Sequence, residues 1–385
     1  MYAILNAELV LRDHFMPEAV LFVEDGKIVS FGEMRNTTVP AGCKTVDAHG
    51  LYVAPGLFDI HTHAGNGKSF KDDALHAARH HMDHGTTSLL ATAHTRMPLD
   101  GYVRYGATIH EAMKSPDGAN IIGIYMEGPY INPKYGANRL AKHHLWDKPV
   151  LPEDYEPIVA ACGDLARVWG LAPERGADQL IPLMQAAKRA NPAVRFAVTH
   201  SEASPAQIEA LIPYGLCIGT HHTNATGDLP KYPECRGVCV DETVNYRGDI
   251  WAEMISDSRG IHVDPYMQRL IRKIKGPDRL ILISDCTADT YPAPEGYEGV
   301  TDINFDEFGE ISGSRLSLDV AARNFMKHTG ASLVDAFRCC GVNPAAALGY
   351  TDRGEIAPGM RADLIFIDEK VNVKTVILNG KIVRG

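Results

Sequence analysis

Apolar runs typical of β-strands alternate with helical patterns along the middle of the chain. The runs read LFDI, TTSLLATA, NIIGIYM, ARVWGLA, RFAVT, LCIGT and RLILIS, and a weaker run before IHVD makes eight candidate strands. Segments with helical periodicity lie between them, such as DDALHAARHHMDHG, ADQLIPLMQAAKRAN and PYMQRLIRKIKG. Because strands and helices alternate in this way, we predict an α/β fold built on a parallel (β/α)8 barrel.

The two ends of the chain have a different pattern, with short strands joined by tight turns. AVLFVEDGKIVSFGE near the start contains an Asp-Gly turn, and KTVILNGKIVRG at the end contains an Asn-Gly turn. We expect both ends to form one small β-sandwich domain, over 1–54 and 355–385. The barrel would then occupy 55–354, which a chain of 385 residues can accommodate.

Composition and charge favour a protein that acts on a small molecule. The formal charge is −10 and no Lys/Arg run occurs, which argues against nucleic acid and membrane partners. The N-terminus lacks the basic start and uninterrupted apolar core of a signal peptide, and no stretch approaches the roughly 18 apolar residues of a membrane span. The eight cysteines are scattered without a CxxC pair. We therefore expect reduced thiols and a cytoplasmic protein.

The segment GLFDIHTHAG places two histidines at the end of the first predicted strand. Because alternate side chains of a strand share a face, His61 and His63 point the same way and can offer two nitrogens to one metal ion. From this pair alone, a metal site and an ordinary polar strand end are equal alternatives.

Further candidate ligands occur at the ends of other predicted strands, and in a parallel barrel these ends meet on one rim. The full set is His61, His63, Glu127, His200, His221 and Asp285. A random scatter of histidines and acidic residues would not supply one at nearly every strand end. The sequence therefore predicts a centre for one or two divalent metal ions.

The residue types in this set suit hydrolysis of an amide or ester. Two divalent ions repel each other, so a carboxylate such as Glu127 is needed between them, with imidazoles on the outer sides. Metal coordination lowers the pKa of bound water from about 15.7 toward 7, and the hydroxide would attack an acyl carbonyl. Asp285 can accept the proton and pass it to the leaving nitrogen. Zinc is the first expectation, although iron, nickel, cobalt and manganese accept the same ligands.

These motifs resemble the amidohydrolase superfamily over the whole chain. The chain looks most similar to the N-acetylglucosamine-6-phosphate deacetylases. Its motifs occur in the same order as in that family: APGLFDIHTHAGNG, MEGPYINPKYGA, VTHSEA, THHTNA, SRGIHVDP and ISDCTAD. The Glu-Gly-Pro and His-Val-Asp segments are the more specific signals. The resemblance implies a barrel with a β-sandwich from both termini. It also implies a cytoplasmic deacetylase, often a homodimer, that acts on an amino sugar or its phosphate.

The resemblance also implies roles for single residues. Glu127 would be shared between one metal ion held with His61 and His63 and another held with His200 and His221, with Asp285 as the proton shuttle. The substrate contacts that it implies are Asn138, Asn224, Ala225, Arg236 and His262. A structural turn is the alternative for Asn224 and Ala225. From the residues alone, His262 is predicted to be a core histidine at a strand end, and the resemblance reverses that interpretation.

Two departures from the family bear on the substrate. Asn138 stands where these deacetylases carry a histidine that helps to polarise the acetyl carbonyl, and a neutral amide is a weaker donor than a charged imidazole. Arg236 lies in a segment that matches the family poorly. We therefore predict a preferred substrate other than N-acetylglucosamine 6-phosphate, with that compound as a close second. The roles of Arg139, His143 and His144 stay open.

Two alternatives complete the set of hypotheses. The chain could hydrolyse a different N-acyl sugar or small amide. It could also be a non-catalytic scaffold of the superfamily, but the retention of every ligand argues against this.

Some of the other histidines are predicted to lie away from the site. His222 is predicted to face away from it, and the histidines of HAARHHMDH are predicted to lie on the surface of a helix.

Overall fold

Strands and helices alternate along the middle of the chain as the sequence pattern predicts. The computed structural model describes residues 1–94, 97–137, 145–227, 231–289 and 291–385. The strands are β1 (Tyr2–Val10), β2 (Phe15–Glu24), β3 (Lys27–Glu33), β4 (Lys44–Asp47), β5 (Tyr52–Pro55), β6 (Leu57–Thr62), β7 (Ala64–Gly65), β8 (Lys68–Ser69), β9 (Thr86–Ala93), β10 (Ile121–Glu127), β11 (Ala166–Leu171), β12 (Arg195–Val198), β13 (Leu216–Gly219), β14 (Trp251–Ile255), β15 (Leu280–Ile283), β16 (Ile303–Phe305), β17 (Ile311–Ser314), β18 (Leu364–Ile367), β19 (Val373–Leu378) and β20 (Lys381–Arg384). The helices are α1 (Phe70–Asp83), α2 (Leu99–Ala112), α3 (Pro152–Cys162), α4 (Ala177–Ala190), α5 (Pro205–Glu209), α6 (Val240–Tyr246), α7 (Pro265–Lys275), α8 (Leu318–Thr329), α9 (Leu333–Phe337) and α10 (Asn343–Leu348).

A parallel barrel forms the centre of the molecule. Its strands follow one another in chain order, from β6 through β9, β10, β11, β12, β13 and β14 to β15. The first and last strands approach each other where the amide of Asp285 donates to the carbonyl of His61 at 2.9 Å. The predicted (β/α)8 barrel is confirmed. The strand that the sequence marks weakly is β14, because Glu253 interrupts its apolar run.

The barrel strands are buried on both faces, which explains their nearly continuous apolar sequences. All side chains of β6 and β9 are buried, and Phe58 and Phe196 are almost completely enclosed. Burial of a large apolar side chain contributes about 1.5–3 kcal/mol, so this core supplies much of the stability. Polar side chains inside it, such as Asp59 and Glu253, are therefore exceptions that need partners.

Both chain ends build a second sheet. Its order is β20, β19, β18, β5, β1, β2 and β3, with β4 also paired to β1. The joint between the two ends is the antiparallel pair of β18 and β5, in which Leu364 lies opposite Pro55. This sheet has its own apolar cluster, which includes Leu9, Val53 and Phe366. A small β domain from both termini is thus confirmed.

Amphipathic helices cover the outside of the barrel. In α4 the buried residues Leu180, Leu183, Met184 and Ala187 follow the helical spacing of three and four. Within the described part of the chain, no helix combines the length and the apolar character that crossing a membrane requires.

The prediction that the histidines of HAARHHMDH lie on the surface is wrong for His81. Its side chain is fully buried, its Nε2 donates to the carbonyl of Ala64 at 2.8 Å, and its ring stacks on Phe70. The reason is positional, because the buried residues of α1 include Ala74, Ala77, Ala78, His81 and Met82, which form one stripe of helical period. Periodicity would have placed His81 in the core despite its polar side chain.

Burial makes the ionisation of His81 unfavourable. It lowers the pKa of the imidazole to about 3, and Nδ1 has no hydrogen-bond partner among the described residues. In the unfolded chain a histidine has a pKa of about 6.5. As the pH falls below this value the unfolded state binds the proton first, so the free energy of unfolding decreases.

We expect His81→Gln to remove this part of the acid sensitivity. The glutamine amide can still donate to the carbonyl of Ala64 but binds no proton. Urea unfolding at pH 7.5 and 5.5 should give a smaller acid loss than in the wild type, by up to about 1.4 kcal/mol per pH unit. His110→Gln, at an exposed position, should keep the wild-type acid loss. Equal losses in His81→Gln and wild type would contradict the expectation.

Candidate metal centre

The six residues predicted as metal ligands converge at the carboxyl ends of the barrel strands. His61 and Glu127 lie within β6 and β10, and the others follow β6, β12, β13 and β15 by one or two residues. They form two groups, His61 with His63 and Asp285, and Glu127 with His200 and His221. In each group the candidate ligand atoms lie within 4.8 Å of one another.

Glu127 joins the two groups. Its Oε1 lies 3.0 Å from Nε2 of His200 and 3.2 Å from Nε2 of His221. Its Oε2 lies 3.2 Å from Nε2 of His63. A carboxylate that presents one oxygen to each group is suited to bridging two cations.

The histidine rings are turned so that Nε2 faces the carboxylates. In three of them Nδ1 is hydrogen-bonded on the outer side: His61 to Glu253 at 3.1 Å, His200 to the carbonyl of Tyr135 at 3.0 Å, and His221 to the carbonyl of Asn224 at 3.2 Å. A proton held on Nδ1 by such an acceptor leaves the lone pair on Nε2, which is the atom that binds a metal.

Charges within the two groups compensate one another. Although burial opposes ionisation, hydrogen bonds from His200 and His221 hold the pKa of Glu127 well below its ordinary value. Burial likewise opposes a charge on His63, yet the carboxylates of Asp285 and Glu127 raise its pKa to about 10. Protons on the imidazoles thus balance the carboxylates, and divalent cations can take over that balance by displacing them.

The donor set fits divalent metal ions. Nε2 of His61 is buried and has no hydrogen-bond partner among the described residues. It lies 3.7 Å from Oε1 of Glu127 and 3.7 Å from Oδ1 of Asp285, too far for hydrogen bonds. A buried ring nitrogen aimed between two carboxylates is explained by a cation between them, and imidazole and carboxylate are ordinary ligands for such ions.

A cavity of about 610 Å³ opens beside these residues. Five of the six predicted ligands line it, all except His61. The predicted substrate contacts Asn224, Ala225 and His262 also line it. Part of the wall comes from the segment after β15, including Tyr297 and Phe305. The centre is therefore accessible to a molecule of the size of a sugar.

Comparisons with known proteins find similar sequences along nearly the whole chain. Residues 285–383 match the Amidohydrolase family. The N-acetylglucosamine-6-phosphate deacetylase of Bos taurus is 27% identical, covering 97% of this chain and 93% of its own. The N-acetylgalactosamine-6-phosphate deacetylase of Escherichia coli O157:H7 is 28% identical, covering 97% of both. The predicted resemblance to the amidohydrolases is confirmed.

A solved structure extends the likeness to the deacetylase fold. The N-acetyl-D-glucosamine-6-phosphate deacetylase of Mycobacterium smegmatis, determined in complex with N-acetyl-D-glucosamine-6-phosphate, has a TM-score of 0.81 and 26% identity. The match covers 100% of this chain and 99% of that one. The similarity to amidohydrolases therefore includes both the barrel and the terminal sheet.

Some residues singled out from the amidohydrolase motifs do not meet at the centre. Arg236 is exposed, pairs with Glu242 at 2.7 Å and does not line the cavity. His222 faces away, as predicted, with Nε2 3.0 Å from the side-chain oxygen of Asn245. Four further residues, Asn138, Arg139, His143 and His144, lie outside the described residues.

Other residues near the candidate metal centre were missed in the sequence. His94 directly follows β9, and the centroid of its ring lies 5.4 Å from that of His63. A search for polar residues directly after each predicted strand would have found it. Asp257 accepts from Nδ1 of His262 at 3.0 Å and from its backbone amide, and so holds that ring. Glu253 could have been noticed as a charge inside an apolar strand.

The backbone around the centre adopts unfavourable conformations. His200, His221 and Asp285 have φ values of 42°, 28° and 46°, in the left-handed region that few residues other than glycine occupy. Such residues cost of order 1–3 kcal/mol each and persist only where the surroundings hold them. For Asp285 these contacts include its carbonyl, which accepts from the amide of Ser314 at 2.8 Å.

Gly136 packs directly against the ring of His200. Its φ is 69°, and an added Cβ would overlap the ring of His200. We expect Gly136→Ala to displace this ring and lower the affinity of the second group for metal by about 10- to 100-fold, as loss of outer support typically does. Titration of the metal-free protein with zinc gives the affinity.

Gly50→Ala provides the matched control. Gly50 has a similar φ of 75°, but nothing lies within 4 Å of the added Cβ. Both variants therefore carry the same kind of backbone strain, and only Gly136→Ala should lose metal. Equal zinc affinities in the two variants would show that the ring of His200 tolerates the contact.

Proposed function

We propose that this chain is a metal-dependent hydrolase that removes the acetyl group from an N-acetylated amino sugar. The observation that carries the proposal is Glu127, whose Oε1 lies against His200 and His221 and whose Oε2 lies against His63. The names of the relatives support an acetamide as the bond that is cleaved. The retention of every candidate ligand argues against a non-catalytic scaffold.

The metal would be held by the chain's own nitrogen and oxygen donors. His61, His63 and Asp285 would bind one divalent ion, and His200 and His221 another, with Glu127 shared between them. Zinc is the metal we propose, with iron, nickel, cobalt or manganese as substitutes. When bound, such ions polarise an acyl carbonyl and lower the pKa of water.

Asp285 would move the proton. Although burial opposes ionisation, the hydrogen bond with His63 lowers the pKa of this carboxyl, so it is ionised at neutral pH. It lines the cavity and can accept a proton from the attacking water. The protonated carboxyl can then donate to the amine nitrogen as the amide bond breaks.

The substrate would be oriented by groups on the cavity wall. His262 is fixed through Nδ1 by Asp257, and its buried Nε2 has no partner among the described residues, so it can bond a sugar hydroxyl. Asn224 and Ala225 line the same wall. We propose that these three residues contact the sugar, with Asn138 and Arg236 as further candidates from the sequence.

We further propose that the preferred substrate is not N-acetylglucosamine 6-phosphate. Among the described residues of the wall there is no arginine, and Lys134 is paired with Glu202 at 2.7 Å. A dianionic phosphate is most strongly bound by arginine forks or free ammonium groups. The relatives also bear the names of two different sugars at nearly the same identity, so similarity does not select one.

The motif resemblance supports three further proposals. The protein would act in the cytoplasm and as a homodimer. Its domain limits would be 1–54 with 355–385 for the β-sandwich and 55–354 for the barrel.

A comparison of substrates and metal states tests the proposed function. The value of kcat/KM should be measured for N-acetylglucosamine, N-acetylgalactosamine, N-acetylmannosamine and their 6-phosphates. We expect chelation to abolish turnover and zinc to restore it, with the best substrate differing from N-acetylglucosamine 6-phosphate. Full activity of the metal-free protein would refute the mechanism. A value for N-acetylglucosamine 6-phosphate far above the others, around 10⁴ M⁻¹s⁻¹ or more, would refute the proposed preference.

Replacement of Asp285 by asparagine separates proton transfer from metal binding. Asparagine has nearly the same shape but cannot carry a proton at neutral pH, so kcat should fall about 10²- to 10⁴-fold. Metal analysis should still find at least one ion per chain, since the group of Glu127, His200 and His221 is unchanged. Asp117→Asn, at an exposed site beyond α2, should keep wild-type kcat. An Asp285→Asn enzyme within a few-fold of wild type would exclude this role.

A further inference from the structure

Glu253 is a buried carboxylate behind the candidate metal centre. It lies in the middle of β14, a barrel strand that supplies none of the predicted ligands, and its side chain is fully enclosed. A carboxylate without water is costly unless strong hydrogen bonds or opposite charges compensate it. Its partners should therefore reveal what it does.

One oxygen of Glu253 contacts both ligand groups. Oε2 lies 3.1 Å from Nδ1 of His61, and it accepts from the backbone amide of His221 at 3.2 Å. The backbone carbonyl of Glu253 also accepts from the amide of His222 at 2.7 Å. Glu253 thus holds a side chain of the first group and the backbone turn that carries a ligand of the second.

The contact with His61 determines which ring nitrogen faces the centre. A carboxylate acceptor retains the proton on Nδ1, so the lone pair of Nε2 points toward Glu127 and Asp285. Tyr125 limits the ring from the side, with 4.4 Å between ring centroids. A negatively charged acceptor for the Nδ1–H group also makes the imidazole a better electron donor to a metal.

This support is different from that of the other rings. Nδ1 of His200 and Nδ1 of His221 face backbone carbonyls, from Tyr135 and Asn224. Nδ1 of His63 has no hydrogen-bond partner among the described residues. Within the described chain, His61 is therefore the candidate ligand whose Nδ1 is held by an ionisable side chain.

We propose that Glu253 is a positioning residue that orients His61 for metal binding and ties the backbone of His221 to the same point. The inference rests on the proposed metal-dependent function. Glu127 would link the two groups on the cavity side and Glu253 on the core side. Loss of Glu253 should weaken the site of His61 more than that of His221, whose side chain it does not contact.

Two substitutions separate the charge of Glu253 from its hydrogen bonds. Glu253→Gln can keep an acceptor oxygen toward both donors but removes the charge. Glu253→Leu has a similar volume and removes both. Metal-free proteins are titrated with zinc in competition with a chromophoric chelator, and bound zinc per chain is measured after desalting.

We expect the affinity of the weaker zinc site to fall about 10- to 100-fold in Glu253→Leu. Glu253→Gln should lose less, because a neutral acceptor is weaker than a charged one but still orients the ring. After desalting, Glu253→Leu should retain about one zinc where the wild type retains two. Melting temperatures, measured on the metal-free proteins, report any general loss of stability.

Tyr125→Phe is the matched control. It removes the buried hydroxyl of Tyr125, which bonds Thr220 at 2.6 Å. The phenylalanine keeps the aromatic ring that packs against His61, and Nδ1 of His61 keeps its partner. This variant should bind zinc like the wild type. If both Glu253 variants bind two zinc ions with wild-type affinity, or if only their melting temperatures fall, the positioning role is refuted. If the wild type itself binds neither zinc nor iron, nickel, cobalt or manganese in stoichiometric amount, the proposed metal-dependent function fails instead.

Discussion

The buried charge of Glu127 is the constraint around which the active end of the barrel is organised. A carboxylate that is only 4% exposed needs positive partners, and the ends of three strands, β6, β12 and β13, place four imidazoles within hydrogen-bond distance of it or slightly beyond. Backbone conformations that would be unfavourable elsewhere are maintained at His200 and His221 because they aim these rings at the same carboxylate. The apolar core of the barrel supplies the stability that offsets this local cost.

The direction of the strands explains why so much of the centre could be read from the sequence. In a parallel barrel all strands end on one rim, so a residue one or two positions after each apolar run must lie near its counterparts. His63, His200, His221 and Asp285 satisfy this rule. No pattern in the sequence reports which nitrogen of a ring faces inward, since that depends on acceptors distant in the chain, such as Glu253 for His61.

Residues judged by type rather than by position were the ones misread or missed. His81 was assigned to the surface because it is polar, although its spacing from Ala74, Ala77 and Ala78 places it in the core. Glu253 weakened the pattern of β14, the seventh barrel strand, for the same reason, yet its Oε2 contacts His61 of one ligand group and the backbone amide of His221 of the other. The part of the cavity wall that follows β15 could not be predicted in this way. Tyr297 and Phe305 belong to a segment with little regular secondary structure, so no periodic pattern indicates which side chains face the cavity.

The pairing of β5 with β18 has a consequence for how the protein is made. During synthesis β1 to β5 emerge before the barrel, but β18, the partner of β5, leaves the ribosome only after the entire barrel has been translated. An edge strand with free backbone amides and carbonyls is a template for wrong pairing with other chains. Strands β1 to β5 must therefore remain protected while the barrel is translated, and β18 to β20 complete the sheet that β1 to β5 began.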